Sequence, residues 1–240
     1  MIDLKHPCSR SLGLAALLAA AAGICPAQTT YPGTLEQFKA ETIRRTGIAQ
    51  YPMTGYTVED VRGALENLKA KTDDGWAGAF MPVGDRYLAK AKQEESSNKA
   101  AAMNDYAIAY RYYVLARWPT PISPLKKQAY RKSLDTFFAW DKLTDLPTQI
   151  IRTTFEGKEV VGLLRMPKSN SPAPLLVQLG GLDGYKENGG MEGSLRYARM
   201  GVAVLSLDSP GTSQAVKVSA QAWQSIVKIM DQVTTRPDID

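Results

Sequence analysis

Between Thr34 and about Leu143 the apolar residues recur at three- and four-residue steps with almost no strand alternation, the period of helices packed on a core. Thr34 is placed to cap a first helix with Glu36 and Gln37 in its opening turn, which sets Leu35, Phe38, Thr42 and Ile43 on one face. Thr57 opens a second, in which Val58, Val61, Leu65 and Leu68 share a face before the polar run Lys69 to Asp73. From Trp76 to Asp85 the chain reads as a looser region, interrupted by Gly75, Gly78, Pro82 and Gly84. The most strongly marked helix runs from about Asn98 to Trp118. Met103, Tyr106, Ala107, Tyr110, Tyr113 and Val114 form its buried stripe, and Pro119 stops it. Such aromatic residues suit a core, with a ligand pocket as the other reading. Ser123-Pro124 starts a further helix with Leu125, Ala129, Tyr130, Leu134, Phe137 and Phe138 inward. Arg44-Arg45 and Lys126-Lys127 read as solvated helix faces.

After Pro147 the pattern changes. Ile150 to Phe155 and Glu159 to Met166 read as two strands joined by a turn at Glu156-Gly157-Lys158, a hairpin. Beyond the Ser169–Pro174 loop, Leu175 to Leu179 is a short apolar run, expected of a strand covered on both faces. It leads into Gly180-Gly181-Leu182-Asp183-Gly184. Glu192 to Met200 is helical and closes at Gly201. Val202 to Leu207 is another buried strand, followed by Asp208-Ser209-Pro210-Gly211. From Ala220 to Val233 an amphipathic helix puts Ala222, Trp223, Ile226, Val227, Met230 and Val233 on one stripe. Hairpin, strand, helix, strand, helix is the opening of an α/β sheet with crossover connections.

The first 27 residues are of another kind. Lys5 and Arg10 precede the apolar run Leu12 to Ala22, and Cys25-Pro26-Ala27 offers small residues before a cut ahead of Gln28. That is the pattern of a secretory signal peptide, too short to span a bilayer. The division expected is therefore a leader over 1–27, a helical unit over 28–146 and the sheet unit over 147–240. The mature protein is expected to be periplasmic or secreted, with no stable membrane anchor. Composition is that of a globular protein: 44% apolar, 22% charged, net charge +5 over 240 residues. The mild charge, with bases and acids interspersed, gives no reason to expect a nucleic-acid partner. His6, Cys8 and Cys25, the histidine and cysteines of the sequence, all fall in the leader. The remainder cannot by itself supply a Ser-His-Asp or Cys-His site, a Cys/His zinc site or an internal disulfide. No metal or cofactor is expected.

Candidate chemistry lies in the two loops that follow apolar strands, since ligands on such sheets bind beyond the carboxyl ends of the strands. Gly180 and Gly181 remove side chains so that backbone N–H groups can approach developing negative charge, although the same glycines serve equally well in tight turns. Gly-Gly-x-x-Gly is not the dinucleotide fingerprint, and no Gly-Lys-Ser/Thr phosphate loop occurs. Ser206, Ser209 and Ser213 have no activating partner in the sequence.

The run Leu175 to Glu187, with its Gly-Gly-Leu-Asp-Gly-Tyr-Lys-Glu, resembles the corresponding loop of the α/β-hydrolases grouped with the FrsA-like esterases and 2,6-dihydroxypseudooxynicotine hydrolase. Asp208-Ser209-Pro210-Gly211 resembles their Asp-Gly-Pro-Gly loop, with Ser209 in place of a glycine. Ala109 to Tyr113, Pro124 and Tyr130-Arg131 are similar to their helical cap. The resemblance covers roughly residues 35 to 240. It implies an α/β-hydrolase-type sheet, first strands only, preceded by an N-terminal helical cap domain. It further implies that Leu182 contributes one oxyanion-hole N–H, while Gly180, Gly181, Asp183, Lys186, Glu187, Asp208 and Gly211 shape and support the loops. The family's nucleophilic serine follows the next strand, and Arg236 to Asp240 looks like the lead-in to it. Serine, acid and histidine are thus expected beyond residue 240, leaving no catalytic residue in this chain.

The implied function is the N-terminal part of an exported serine-type hydrolase of a small-molecule ester or an activated C–C bond, inert alone, whose open sheet edge favours association into a homo-oligomer. The competing expectation is a non-catalytic module that binds its ligand in the cap pocket. If the leader reading is right, intact-mass and N-terminal analysis of the protein from its native host will find Gln28 first; Met1 or Ile2 there would refute it.

Overall fold

Thr34, Thr57, Thr72, Asn98 and Ser123 each accept a backbone N–H from the residue three positions on, and each begins one of five consecutive helices. A side-chain oxygen at this position satisfies a donor that the helix itself leaves unpaired, worth about 1 kcal/mol. The computed structural model describes residues 33–240; the leader expected over 1–27 and residues 28–32 lie outside them. The helices are α1 (Leu35–Gly47), α2 (Val58–Glu66), α3 (Asp73–Glu94), α4 (Lys99–Arg117) and α5 (Pro124–Lys142). No helix among the described residues is long and apolar enough to cross a membrane.

The expectation of a looser region from Trp76 to Asp85 fails, because α3 runs through it unbroken. Its glycines are points of close approach. A Cβ on Gly84 would sit 2.7 Å from the Tyr113 ring of α4, and one on Gly78 would meet Leu125 of α5 at 3.7 Å. Burial of Trp76, Phe80, Met81 and Val83 holds the helix through Pro82, so packing outweighs local propensity. Sandwiched between α3 and α5, α4 buries more than the single stripe expected: Tyr112, Ala109, Leu115 and Ala116 are as buried as Tyr106, Tyr110 and Tyr113. The reading of Lys126 as a solvated base is also wrong. It is fully buried, with Nζ 2.5 Å from Asp73 Oδ1. Arg44 and Arg45 do lie at the surface, each paired with Glu41.

The sheet begins with β1 (Gln149–Phe155) and β2 (Lys158–Arg165). Glu156 and Gly157 between them both have positive φ, 48° and 73°, which matches the twist of a two-residue hairpin turn. Then follow β3 (Leu175–Leu179), α6 (Lys186–Gly190), α7 (Glu192–Arg199), β4 (Ala203–Leu207) and α8 (Gln224–Thr234). Strand order is β1-β2-β4-β3, antiparallel except for the parallel β3–β4 pair. Every residue of β4 is buried. Contrary to expectation, β3 is only half-covered, with Leu179 47% exposed, because it lies outermost in the described four-stranded sheet. Beside it Ile239 forms a parallel bridge to Ala173. On α8 the buried face is also shifted from expectation: Ile226, Ile229 and Val233 turn inward toward the hairpin, while Trp223 and Val227 are exposed. A Cβ on Gly162 of β2 would meet Ile229 Cδ1 at 3.0 Å and Leu207 at 2.7 Å, so the bare backbone there admits both neighbours.

Helical unit and sheet share one core, in which Tyr110, Phe137 and Trp140 pack with Leu163, Met191 and Leu195. At its centre is the fully buried Arg165. Its Nη2 reaches Asp141 Oδ1 at 2.7 Å and Gly190 O at 2.7 Å, its Nε reaches Ser194 Oγ at 2.9 Å, and Nη1 donates to Leu146 O and Thr144 Oγ1. The other Asp141 oxygen accepts from Thr148 N and Oγ1. One guanidinium thus joins α5, the connection to β1, β2 and the α6–α7 corner.

The glycines allow a paired test. Gly84→Ala in the full-length protein is expected to lower stability by about 1–3 kcal/mol through the clash with Tyr113. Gly63→Ala, on the open face of α2 where a Cβ meets nothing within 4 Å, should raise it by about 0.5–1 kcal/mol. Thermal unfolding followed by circular dichroism separates the two directions.

Candidate functional site

Two loops leave the carboxyl ends of β3 and β4 side by side. In the first, a Cβ on Gly180 would lie 1.7 Å from Gly184 O, so only glycine closes this turn. Gly180 N donates to Leu207 O at 3.3 Å, and Gly180 O accepts from Ser209 Oγ at 2.6 Å. At the other end, Asp183 O accepts from Arg117 Nη2 at 3.0 Å, and Asp183 Oδ2 from Trp118 Nε1 at 3.0 Å. Between these anchors the backbone N–H groups of Gly181, Leu182, Asp183 and Gly184 find no acceptor among the described residues. The Leu182 side chain is 76% exposed. Gly181, unlike Gly180, has open space where a Cβ would sit.

The second loop is locked to the first by buried charge. Lys186 Nζ lies 2.8 Å from Asp208 Oδ2, 2.8 Å from Glu187 Oε1 and 2.9 Å from Gln214 Oε1. Asp208 Oδ1 also accepts the Lys186 backbone N–H at 2.8 Å, at the first turn of α6. Burial opposes the charge on Lys186, but Glu187 and Asp208 outweigh it and hold the ammonium above its ordinary range. Glu187 is pushed up, chiefly by burial and further by the Asp208 charge, against the pull of Lys186. Gly211 turns the chain with φ +85°, and its N–H donates to Val216 O at 2.7 Å.

The helical unit covers this edge. A cavity of about 260 Å³ lies between the Asp183–Gly184 end of the first loop and the helices, walled by Tyr51, Tyr56, Val114, Trp118 and Asn188. Trp118 also borders an apolar cavity of about 540 Å³ with Phe38, Met53 and Trp76.

No family model matches the chain. It is 25% identical over 200 residues to the "Alpha/beta hydrolase ucsC" of Acremonium sp., a match covering 76% of this chain and 40% of that protein. Among solved structures it superposes on 2,6-dihydroxy-pseudo-oxynicotine hydrolase with a TM-score of 0.61 and 20% identity, over 78% of this chain and 53% of that one. AbyA5 gives a TM-score of 0.60 at 19% identity, over 83% and 53%. These matches relate the chain to the α/β-hydrolase superfamily. The chain spans about two-fifths of the curated relative and about half of each solved structure.

Of the residues singled out from sequence, Gly180, Gly181, Leu182 and Asp183 lie together in the loop after β3, Lys186, Glu187 and Asp208 join that loop to the one after β4, and Gly211 turns the second loop. The three serines are held by neutral groups: Ser206 Oγ is 3.4 Å from Gln178 Oε1, Ser209 donates to Gly180 O, and Ser213 Oγ is 2.6 Å from Tyr130 OH. Burial, with Glu187 nearby, raises the Tyr130 phenol far above its ordinary range, so it is no base for Ser213. Sequence reasoning missed Arg117, Trp118 and Asn188. Arg117 reads locally as a last-turn cation on α4, and nothing in the pattern shows a partner 66 positions away.

Lys186→Met would leave two carboxylates buried without their cation and is expected to cost about 3–5 kcal/mol in urea unfolding. Glu187→Gln should be far milder. Because the Glu187 carboxyl is raised above 4.5 in the fold, the native state binds the extra proton, so its contribution is full at low pH and lost as pH rises past that value. Wild type should therefore lose stability relative to Glu187→Gln between acid and neutral pH.

Proposed function

We propose that residues 33–240 are the cap and the opening part of the sheet of an exported serine-type α/β-hydrolase. Its substrate is a small molecule presenting an ester or an activated C–C bond next to a carbonyl. The observation that carries this reading is the run of backbone N–H groups from Gly181 to Gly184 without an acceptor among the described residues, in a loop pinned at both ends whose Asp183–Gly184 end borders a cavity under the cap. Donors fixed before reaction stabilise an oxyanion without reorganising, the largest single contribution in acyl transfer.

In this scheme the substrate carbonyl lies against the Leu182 N–H, with the N–H following the nucleophilic serine as second donor. Serine, histidine and acid come from chain beyond residue 240. The serine oxygen attacks the carbonyl carbon while histidine takes its proton. The leaving group departs with that proton, and water then attacks the acyl-serine to release the acid and restore the hydroxyl. The cap shields the acyl-enzyme and selects the substrate. No cofactor or nucleic acid enters. Export rests on the leader pattern of residues 1–27, with periplasm or exterior as the destination.

A polypeptide of residues 28–240 is expected to hydrolyse a p-nitrophenyl ester no faster than the blank, whereas the protein from its native host should be active and be labelled by a fluorophosphonate. Activity well above the blank in 28–240 would refute the placement of the triad. The 540 Å³ apolar cavity favours a second reading, a non-catalytic binding module. That reading gains if the native protein ends at residue 240, unfolds cooperatively and takes no fluorophosphonate label.

A further inference from the structure

Arg117 is among the largest fully buried side chains of the protein, and its hydrogen bonds go to neutral oxygens: Asp183 O at 3.0 Å, Asn188 Oδ1 at 3.3 Å and Pro119 O at 3.4 Å. The guanidinium lies 3.7 Å from the centroid of the Tyr185 ring. A planar fork can stack on a ring and hold acceptors in its plane at once, which an ammonium cannot. Asn188 Oδ1 in turn accepts the Tyr185 N–H at 3.2 Å, fixing the entry to α6. The next residue, Trp118, shares its Nε1–H between Asp183 Oδ2 and Tyr51 OH, each at 3.0 Å.

These contacts have a geometrical result. A trans peptide is planar, with C=O and N–H pointing in opposite directions, so a hydrogen bond to the carbonyl fixes the direction of the N–H of the same unit. Ser209 fixes the unit joining residues 180 and 181 from the β4 side. Arg117 fixes the unit joining 183 and 184 from the cap side. The two units on either side of Leu182 are suspended between these fixed planes.

We propose that Arg117 and Trp118, at the end of α4, are positioning residues that set the direction of the Leu182 N–H. Together with Ser209 they make oxyanion-loop geometry depend on the cap being seated. The cap is then part of the catalytic apparatus, not only a cover. A cap that swung away would withdraw Arg117 and Trp118 and release the donor. The catalytic consequence rests on the hydrolase reading; the mechanical one does not.

Two measurements on the full-length protein test this in Trp118→Phe, Ser209→Ala and Arg117→Lys. Trp118→Phe and Ser209→Ala each remove one donor from a partly exposed side chain and keep the test open if Arg117→Lys fails to fold. Selective ¹⁵N-glycine and ¹⁵N-leucine labelling should give rigid order parameters of about 0.85 for Gly181, Leu182 and Gly184 in the wild type, falling below about 0.6 in the variants while other sites stay unchanged. In the ester assay kcat should fall about 10- to 100-fold with KM nearly constant, the mark of a misdirected group. Unchanged loop order in all folded variants overturns the proposal, and loosening in Ser209→Ala alone overturns the role of the cap. A wild type without esterase activity counts against the hydrolase reading, and the loop order then decides the positioning role by itself.

Discussion

A guanidinium can be taken out of water only where acceptors replace the water, and Arg165 is the point at which the fold meets that demand. Its acceptors come from α5, from the connection into β1, from the α6 carboxyl end and from α7. None of these segments can move independently without stranding a buried charge, which would cost several kcal/mol. The aromatic core around Phe137 and Trp140 adds area, but area is non-directional. It is the ion pair with Asp141 and the attendant carbonyls that specify how the helical unit sits on the sheet. Everything at the carboxyl edge inherits that placement.

The same logic recurs around the site at smaller scale. Lys186 draws Asp208 and Glu187 together and makes one body of two loops that sequence separates by more than twenty residues. Lys126 ties the start of α5 to the start of α3 through Asp73. Buried cations, each answered by oxygens from other elements, form the framework on which the backbone of residues 180–184 is displayed.

What the sequence reveals and conceals follows from the range of each signal. Helix starts were legible because Thr34, Thr57, Asn98 and Ser123 act on the backbone three residues away. The turn at Glu156-Gly157 was legible for the same reason. The unbroken α3 was not: Gly78, Pro82 and Gly84 carry a local message of disruption, and only the neighbouring helices reverse it. Lys126 looked solvated because its neighbour Lys127 is, and its partner lies 53 positions earlier. On α8, Trp223 and Ile229 exchanged roles because periodicity gives a stripe without saying which part faces the hairpin. The glycine loop is legible in its composition, but that its N–H groups lack acceptors among the described residues depends on the surrounding elements and not on any local pattern. Its dependence on Arg117 belongs to no local pattern.

The two adjacent glycines of that loop differ in what an experiment on them can report. At 180 the carbonyl of Gly184 occupies the space of any side chain, so every replacement rebuilds the turn. A dead Gly180 variant would consequently be silent about chemistry, however plainly it read as an essential residue in a mutational scan. Position 181 has open space, and a methyl group there leaves the turn alone while crowding whatever approaches the amides. The informative glycine is therefore the one whose loss the fold can survive.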